Sequence, residues 1–190
     1  GGGGVVAQND KDLEAEWGLS SFDQRHRVSS SFTWELPFGP NRRWLTKEGW
    51  AAYALGGWAL GGNLSVSSGT PYTARVTGDV TDVGRGTNGT LRANYTGARI
   101  SLAHPTIQRF FNTSAFELPA SGTFGSAGRN TIVGPGAANL NMSLQKSFSL
   151  RGTRGLSLRI QANNVLNRAQ WAGIDTVVNS PTFGQVTSVR

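Results

Sequence analysis

The sequence has 190 residues, including 26 Gly, and combines only 37% hydrophobic with only 15% charged side chains. Both fractions lie below those of typical globular domains, and Gly, Ser, Thr and Asn fill the remaining positions. The lack of Cys excludes a disulfide framework and thiolate metal sites, and no apolar run reaches the roughly 18 residues of a transmembrane helix. The net charge of +7 comes from scattered basic residues, so we expect no nucleic-acid partner.

A first β-strand is predicted near residues 25–38, because apolar and polar side chains alternate there with a period of two. The polar positions include Glu35, whereas the alternate positions are mostly large and apolar: Val28, Phe32, Trp34, Leu36 and Phe38. Such a strand has two unlike faces, one suited to apolar surroundings and the other to water.

Three further strands are predicted near residues 57–73, 138–150 and 155–167, and each repeats the alternation. Lys146 interrupts the apolar positions of one strand near its end, where a lysine reaches a membrane interface at a cost of about 0–1 kcal/mol. Arg159 would be costly in a dry core but is ordinary in a wet lumen. The pattern therefore predicts an all-β fold of antiparallel strands, part of a transmembrane outer-membrane β-barrel.

The connections between these strands differ in length. Residues 151–155 form a tight turn, residues 40–55 a longer connection, and residues 77–137 a long stretch rich in Gly, Asn, Thr and Pro. Outer-membrane barrels alternate short periplasmic turns with long extracellular loops. We therefore expect residues 77–137 to be extracellular and the other two connections to be periplasmic.

The alternation also assigns candidate roles to individual side chains. Those on the polar parity are predicted to face the lumen, namely Glu35, Asn63, Gln145, Arg159 and Gln161. Aromatic residues that gather near one end of the first two strands fit either core packing or a periplasmic girdle, and we favour a girdle formed by Trp34, Phe38 and Trp58. In the long loop, the candidate contacts for an extracellular substrate are Arg109, Phe110 and Phe111.

Two motifs match enzyme signatures without the required context. Residues 84–89 read G-x-G-x-x-G, but no strand and helix flank them. Ser143 and Lys146 read S-x-x-K, yet on a strand they point to opposite faces and cannot act as a pair. No nucleophile–base–orienter set and no metal-ligand spacing is present, so we expect no enzyme, cofactor or metal site.

A series of short motifs resembles a known receptor family. They occur in the family's order at residues 22–27 (FDQRHR), 35–39 (ELPFG), 56–60 (GGWAL), 68–72 (SGTPY), 111–116 (FNTSAF), 125–130 (GSAGRN), 134–136 (GPG), 163–167 (NNVLN) and 180–184 (SPTFG). The ordered set resembles the Oar-like TonB-dependent receptors of the bacterial outer membrane.

The resemblance implies a barrel of about 22 strands whose lumen holds an N-terminal plug. It also implies active uptake of a substrate, driven through the TonB complex. Residues 1–190 would be part of the C-terminal barrel domain, with the plug, the N-terminal domains and the last strand outside this chain. The implied partners are outer-membrane lipid and lipopolysaccharide, the TonB complex through the plug, and an unknown extracellular substrate such as a glycan, a peptide or a metal chelate.

Two other classes of protein share part of this pattern. A passive, structural or adhesive outer-membrane barrel requires the same alternation, because its outer face also meets lipid. A soluble β-sandwich would instead pack the apolar faces of its strands together and leave no exposed apolar band.

Overall fold

The computed structural model describes residues 6–39, 42–46, 49–78, 80–83, 91–149 and 155–189. These residues divide between two compact units. The sheet unit comprises residues 26–67 and 137–168, and the loop unit comprises residues 1–25, 68–136 and 169–190. No helix in the described ranges has the length and apolar content needed to cross a membrane.

The described residues form ten strands and one α-helix. The strands are β1 (Arg27–Glu35), β2 (Trp58–Ser67), β3 (Pro71–Tyr72), β4 (Asn94–Tyr95), β5 (Phe116–Glu117), β6 (Ile132–Val133), β7 (Ala137–Ser149), β8 (Gly155–Ala162), β9 (Trp171–Ile174) and β10 (Val186–Val189). The helix α1 spans Trp50–Leu55, and short 3₁₀ turns lie at Glu14–Glu16 and Thr113–Ala115.

The sheet unit is built on one antiparallel sheet with the strand order β1-β2-β7-β8. This sheet is open, with β1 and β8 as its edges. Strands β1 and β7 lie close to the predicted ranges 25–38 and 138–150. The predicted strand at 57–73 ends earlier, at Ser67, because the chain enters the loop unit there.

Two local features explain where the strands of this sheet stop. Gly69 approaches the carbonyl oxygen of Gly134 so closely that a Cβ atom would lie 1.8 Å from it, which separates β2 from β3. The predicted strand at 155–167 ends at Ala162, because Asn164 and Asn167 adopt left-handed backbone conformations with φ of 50° and 46°. The predicted turn at 151–155 lies largely outside the described residues, as does the G-x-G-x-x-G motif at 84–89.

The register places residues of like character side by side across the strands. One apolar row contains Trp34, Leu60, Leu144 and Ile160, and the adjacent polar row contains Glu35, Ala59, Gln145 and Arg159. Because successive side chains point to opposite faces of a sheet, these rows divide it into an apolar face and a polar face. The alternation in the sequence predicted this division.

A glycine allows one aromatic ring to lie flat on the apolar face. Phe32 pairs with Gly62, and a Cβ atom on Gly62 would lie 2.3 Å from Cε1 of the Phe32 ring. The ring therefore occupies the space above the glycine, which restores apolar cover where β2 has no side chain.

The connection from β1 to β2 contains α1, for which the sequence holds no clear signal. The helix begins after Gly49, without a side-chain cap, and Ala52 is its buried residue. Ahead of the helix, Phe38 and Trp44 form an isolated bridge, with ring centroids 5.5 Å apart. Pro40, Asn41, Lys47 and Glu48 lie outside the described residues.

The loop unit has a hydrophobic core of its own, although the sequence predicted a long irregular loop at 77–137. Strand β3 pairs with β6, β4 with β5, and β9 with β10. The buried core residues come from all parts of the unit after residue 67: Ala74, Val76, Leu91, Ala93, Phe111, Ala115, Phe116, Ala127, Ile132 and Ile174. Phe111, Phe116 and Phe183 pack edge to face, with centroid separations of 5.3–6.5 Å.

Candidate functional site

The apolar face of the sheet is uncovered along much of its length. Its exposed large side chains are Val28, Phe32, Trp34, Val66, Leu156, Leu158 and Ile160. A soluble sandwich would bury such residues against a second sheet, and their exposure to water would be unfavourable by about 25 cal/mol per Å². The band therefore requires an apolar environment.

The polar face carries all five residues predicted to face a lumen. Glu35 and Arg159 occupy one cross-strand row with Gln145 between them, and Asn63 and Gln161 lie on the same face. Glu35 forms an ion pair with Arg42, and Gln145 Nε2 donates to Ser157 Oγ at 3.2 Å. All five predicted residues are exposed, so this face presents hydrogen-bonding groups to its surroundings.

The three predicted girdle aromatics lie in two different settings. Trp34 and Trp58 both belong to the apolar face, because Trp34 pairs with Leu60, which lies two residues from Trp58 on β2. Phe38 lies beyond the end of β1 and packs against Trp44. The indole Nε1 of Trp58 donates to the carbonyl oxygen of Ala54 in α1 at 3.0 Å. An indole with an apolar body and a satisfied N–H suits a membrane interface.

Lys146 lies in the apolar rows, opposite Trp58 and Leu158, but its charge is satisfied by α1. Its Nζ donates to the carbonyl oxygens of Tyr53 and Ala54, the latter at 2.7 Å. The same atom lies 4.8 Å from the centroid of Phe148 and 5.4 Å from that of Trp58. The side chain is only 4% exposed. The sequence predicted a lysine at the interface but contained no signal for the helix that binds it.

The three predicted substrate contacts in the loop unit differ in accessibility. Arg109 is exposed, and its guanidinium donates to Asn112 Oδ1 at 2.9 Å. Phe110 is half-buried and packs edge to face on Trp171, with centroids 6.1 Å apart. Phe111 is 2% exposed and belongs to the core. Its burial removes Phe111 from the candidate contacts, because a core side chain is not accessible to a ligand.

A cleft of about 480 Å³ in the loop unit was not predicted from the sequence. Its lining includes Gln8, Asp12, Trp17, Arg92 and Phe124. Arg92 is buried and pairs with Glu16 at 2.9 Å, while the Trp17 side chain is 92% exposed. An exposed indole beside charged and amide groups is a candidate contact surface for an external ligand.

Asp175 organises the turn between β9 and β10. Burial alone would raise the pKa of its carboxyl, but hydrogen bonds from Ser180, Thr182 and the Val177 N–H, together with the nearby Arg75, lower the pKa below its ordinary value. Thr182 Oγ1 donates to Oδ2 at 2.6 Å. This carboxylate therefore serves as a structural acceptor. The described residues contain no group of three or more His, Asp or Glu positioned to hold a metal ion.

A comparison with protein families decides which apolar environment the sheet requires. A family model described as "Outer membrane beta barrel domain" matches residues 1–190. The chain belongs to this family. Searches of curated proteins and of solved structures give no match. As an outer membrane beta barrel domain, the chain is located in the bacterial outer membrane, where a sheet with one apolar and one polar face can separate lipid from water.

Proposed function

We propose that this barrel domain is part of a TonB-dependent receptor that takes up an extracellular substrate actively, through a plugged barrel of about 22 strands. The observation that carries the proposal is the order of the nine receptor-like motifs along the chain. Several of their residues hold the loop unit together. Phe111, Phe116 and Phe183 form its aromatic cluster, and Asn130 donates to the Leu19 carbonyl oxygen at 2.5 Å.

The arrangement of the chain is consistent with uptake from outside. The chain enters or leaves the sheet at Arg27, Ser67 and Ala137, which are neighbours in the register, and at each of these ends it connects to the loop unit. Because barrels place their long connections outside the cell, we assign the loop unit to the extracellular side. The polar face of the sheet then lines the lumen, with Glu35, Asn63, Gln145, Arg159 and Gln161 in contact with water or the plug.

The proposed partners follow from this arrangement. The apolar face meets outer-membrane phospholipid and lipopolysaccharide, and the TonB complex acts through the plug. The substrate is a glycan, a peptide or a metal chelate, and its candidate contacts on the loop unit are Arg109, Phe110 and Trp17. We propose a transport role and no catalytic one.

Two measurements on the full-length protein test the proposal without knowledge of the substrate. In planar lipid bilayers in KCl, a plugged receptor is expected to show no steady ionic conductance. The purified periplasmic domain of TonB is expected to bind the receptor, as measured by biolayer interferometry. Steady conductance without TonB binding would identify a passive pore instead, and neither conductance nor TonB binding would identify a structural or adhesive barrel.

A further inference from the structure

The helix α1 carries its apolar side chains on the outside. Ala52 is buried, while Trp50 is 85% exposed and Tyr53 is 65% exposed. Leu55 is exposed as well, and the helix WAAYAL contains no charged residue. A helix on a water-exposed surface shows the reverse arrangement, with polar residues outward. The outward surface of α1 therefore needs an apolar or interfacial surrounding.

The contacts of α1 place it on the apolar side of the sheet. Lys146 and Phe148 both belong to the apolar rows of β7. Lys146 Nζ donates to two carbonyl oxygens of the helix, and the Tyr53 ring lies 6.0 Å from that of Phe148. Trp58, also on the apolar face, donates to the Ala54 carbonyl oxygen. The outward surface of α1 thus continues the face that meets lipid in this family.

The position of α1 along the strands specifies the leaflet. It lies in the connection that follows Glu35 and precedes Trp58, at the sheet end opposite to Arg27 and Ser67. Because the chain passes to the loop unit at the Arg27 end, the α1 end is the periplasmic one under the alternation of short and long connections. Trp and Tyr are the residues that favour the headgroup level of a bilayer.

We propose that α1 is an interfacial helix that lies in the periplasmic leaflet of the outer membrane, where phospholipid covers Trp50, Tyr53 and Leu55. Lys146 holds this helix against the apolar face of the sheet. Its stem packs among the apolar rows, while its ammonium group binds the last carbonyls of the helix, which a helix of this length leaves without an internal partner. This contact satisfies the lysine charge and the helix end together. It also explains how a lysine is accommodated in an apolar row.

A site-directed fluorescent label tests whether lipid covers α1. The present chain contains no Cys, so Trp50→Cys in the full-length protein, in a background lacking other reactive Cys, provides one labelling site for the fluorophore NBD. The labelled protein is reconstituted into vesicles of phosphatidylethanolamine and phosphatidylglycerol, with and without lipids that carry a nitroxide near the top of the acyl chain. The nitroxide lipids are expected to remove most of the NBD fluorescence at position 50.

The matched control is Trp17→Cys, another highly exposed tryptophan position, which lies in the loop unit. Its NBD fluorescence is expected to remain unchanged by the nitroxide lipids. Ile160→Cys, on the apolar face, is the positive reference and gives the quenching expected for a site that meets lipid. A label at position 50 with water-like emission and no quenching would show that α1 faces the periplasm, and a blue-shifted label without quenching would show that protein covers it. Either result would overturn the proposal.

Discussion

The Nζ atom of Lys146 lies 2.7 Å from the carbonyl oxygen of Ala54, so a charged side chain in an apolar row of β7 binds the end of α1. We predict that Lys146→Met loosens α1 while leaving the sheet folded, because Met suits the apolar row but donates no hydrogen bond. The Tyr53 carbonyl then loses its partner in apolar surroundings, at a cost of about 1–3 kcal/mol, while the Ala54 carbonyl keeps its hydrogen bond from the Trp58 indole. Amide hydrogen exchange of residues 50–56 should therefore accelerate.

Lys146→Arg serves as the control for this prediction, because it retains donors at the same position. Its exchange rates should lie between those of the original protein and those of Lys146→Met. Unchanged exchange in Lys146→Met would mean that the lysine does not hold the helix.

The close approach of Phe32 to Gly62 yields a second prediction. A methyl group at position 62 would overlap the Phe32 ring, so Gly62→Ala should destabilise the barrel by about 1–3 kcal/mol. Urea unfolding of the full-length protein from lipid vesicles measures this change. Gly61→Ala is the matched control, because its Cβ atom would come closer than an ordinary contact only to the Ser143 hydroxyl, which can rotate away. Equal losses for the two variants would contradict the role assigned to the ring.

The two faces of the sheet are expected to respond differently to the same charge. Leu144 and Gln145 are neighbours on β7, in an apolar row and a polar row respectively. We predict that Leu144→Arg is unfavourable by less than the roughly 2–4 kcal/mol that Arg costs at the bilayer midplane, because the girdle residue Trp34 lies in the same row, while Gln145→Arg costs less still. The measurement is the yield of folding into vesicles, which the heat-modifiable mobility of the folded barrel in gels reports. A larger loss for Gln145→Arg would mean that the polar face meets lipid and that the apolar face lines the lumen.

Phe110 and Phe111 allow the core of the loop unit to be distinguished from its surface. Because Phe111 packs against Phe116 and Phe183 in the core, Phe111→Ala should destabilise the loop unit by about 3–5 kcal/mol. Phe110→Ala should cost less, because this ring is only half-buried. Protease sensitivity of residues 91–136 provides the measurement. Similar sensitivity in the two variants would indicate that Phe111 does not belong to the core.

The lowered pKa of Asp175 predicts a pH dependence of the loop unit. In the unfolded chain this carboxyl titrates near its ordinary pKa of about 3.9. Because the folded pKa is lower, the ionised group stabilises the folded unit above that value, and the contribution is lost as pH falls through the folded pKa. The protection factors of residues 175–185 against hydrogen exchange, which are corrected for the intrinsic rate at each pH, should therefore fall below about pH 4.

Asp175→Asn removes the titrating group and provides the control. This variant should show weaker protection at neutral pH, because a neutral amide accepts these hydrogen bonds less strongly. It should also lack the additional loss at acid pH. If it retained the same acid-dependent loss, another group would be responsible.

The strands of the sheet were predictable because their signal is local. A period of two appears in any segment with one apolar and one polar face, and it assigns Trp34 and Glu35 to opposite faces without any knowledge of the partner strand. The helix α1 was not predictable in this way. Its six residues are too few for a helical period, and Gly49 offers no side-chain cap.

The loop unit was missed for a different physical reason. Several of its core residues are alanines, such as Ala93, Ala115 and Ala127, whose burial depends on close backbone packing rather than on large side chains. Their surroundings in sequence are rich in Gly, Thr and Asn, which is the composition of a loop. The difference in accessibility between Phe110 and Phe111 was not predictable either, because it depends on partners such as Trp171 and Phe183 that lie far away in sequence.

The division of the loop unit into three stretches of chain has a consequence for biogenesis. Its core joins Ala74 to Ile174, on opposite sides of β7 and β8 in the sequence. Contacts of such long sequence separation form slowly, because the intervening chain must first be brought together. The core therefore cannot be completed before the polypeptide beyond β8 has arrived. We expect the loop unit to close last during insertion, so a barrel domain stalled before that point would present an unfinished, protease-sensitive surface.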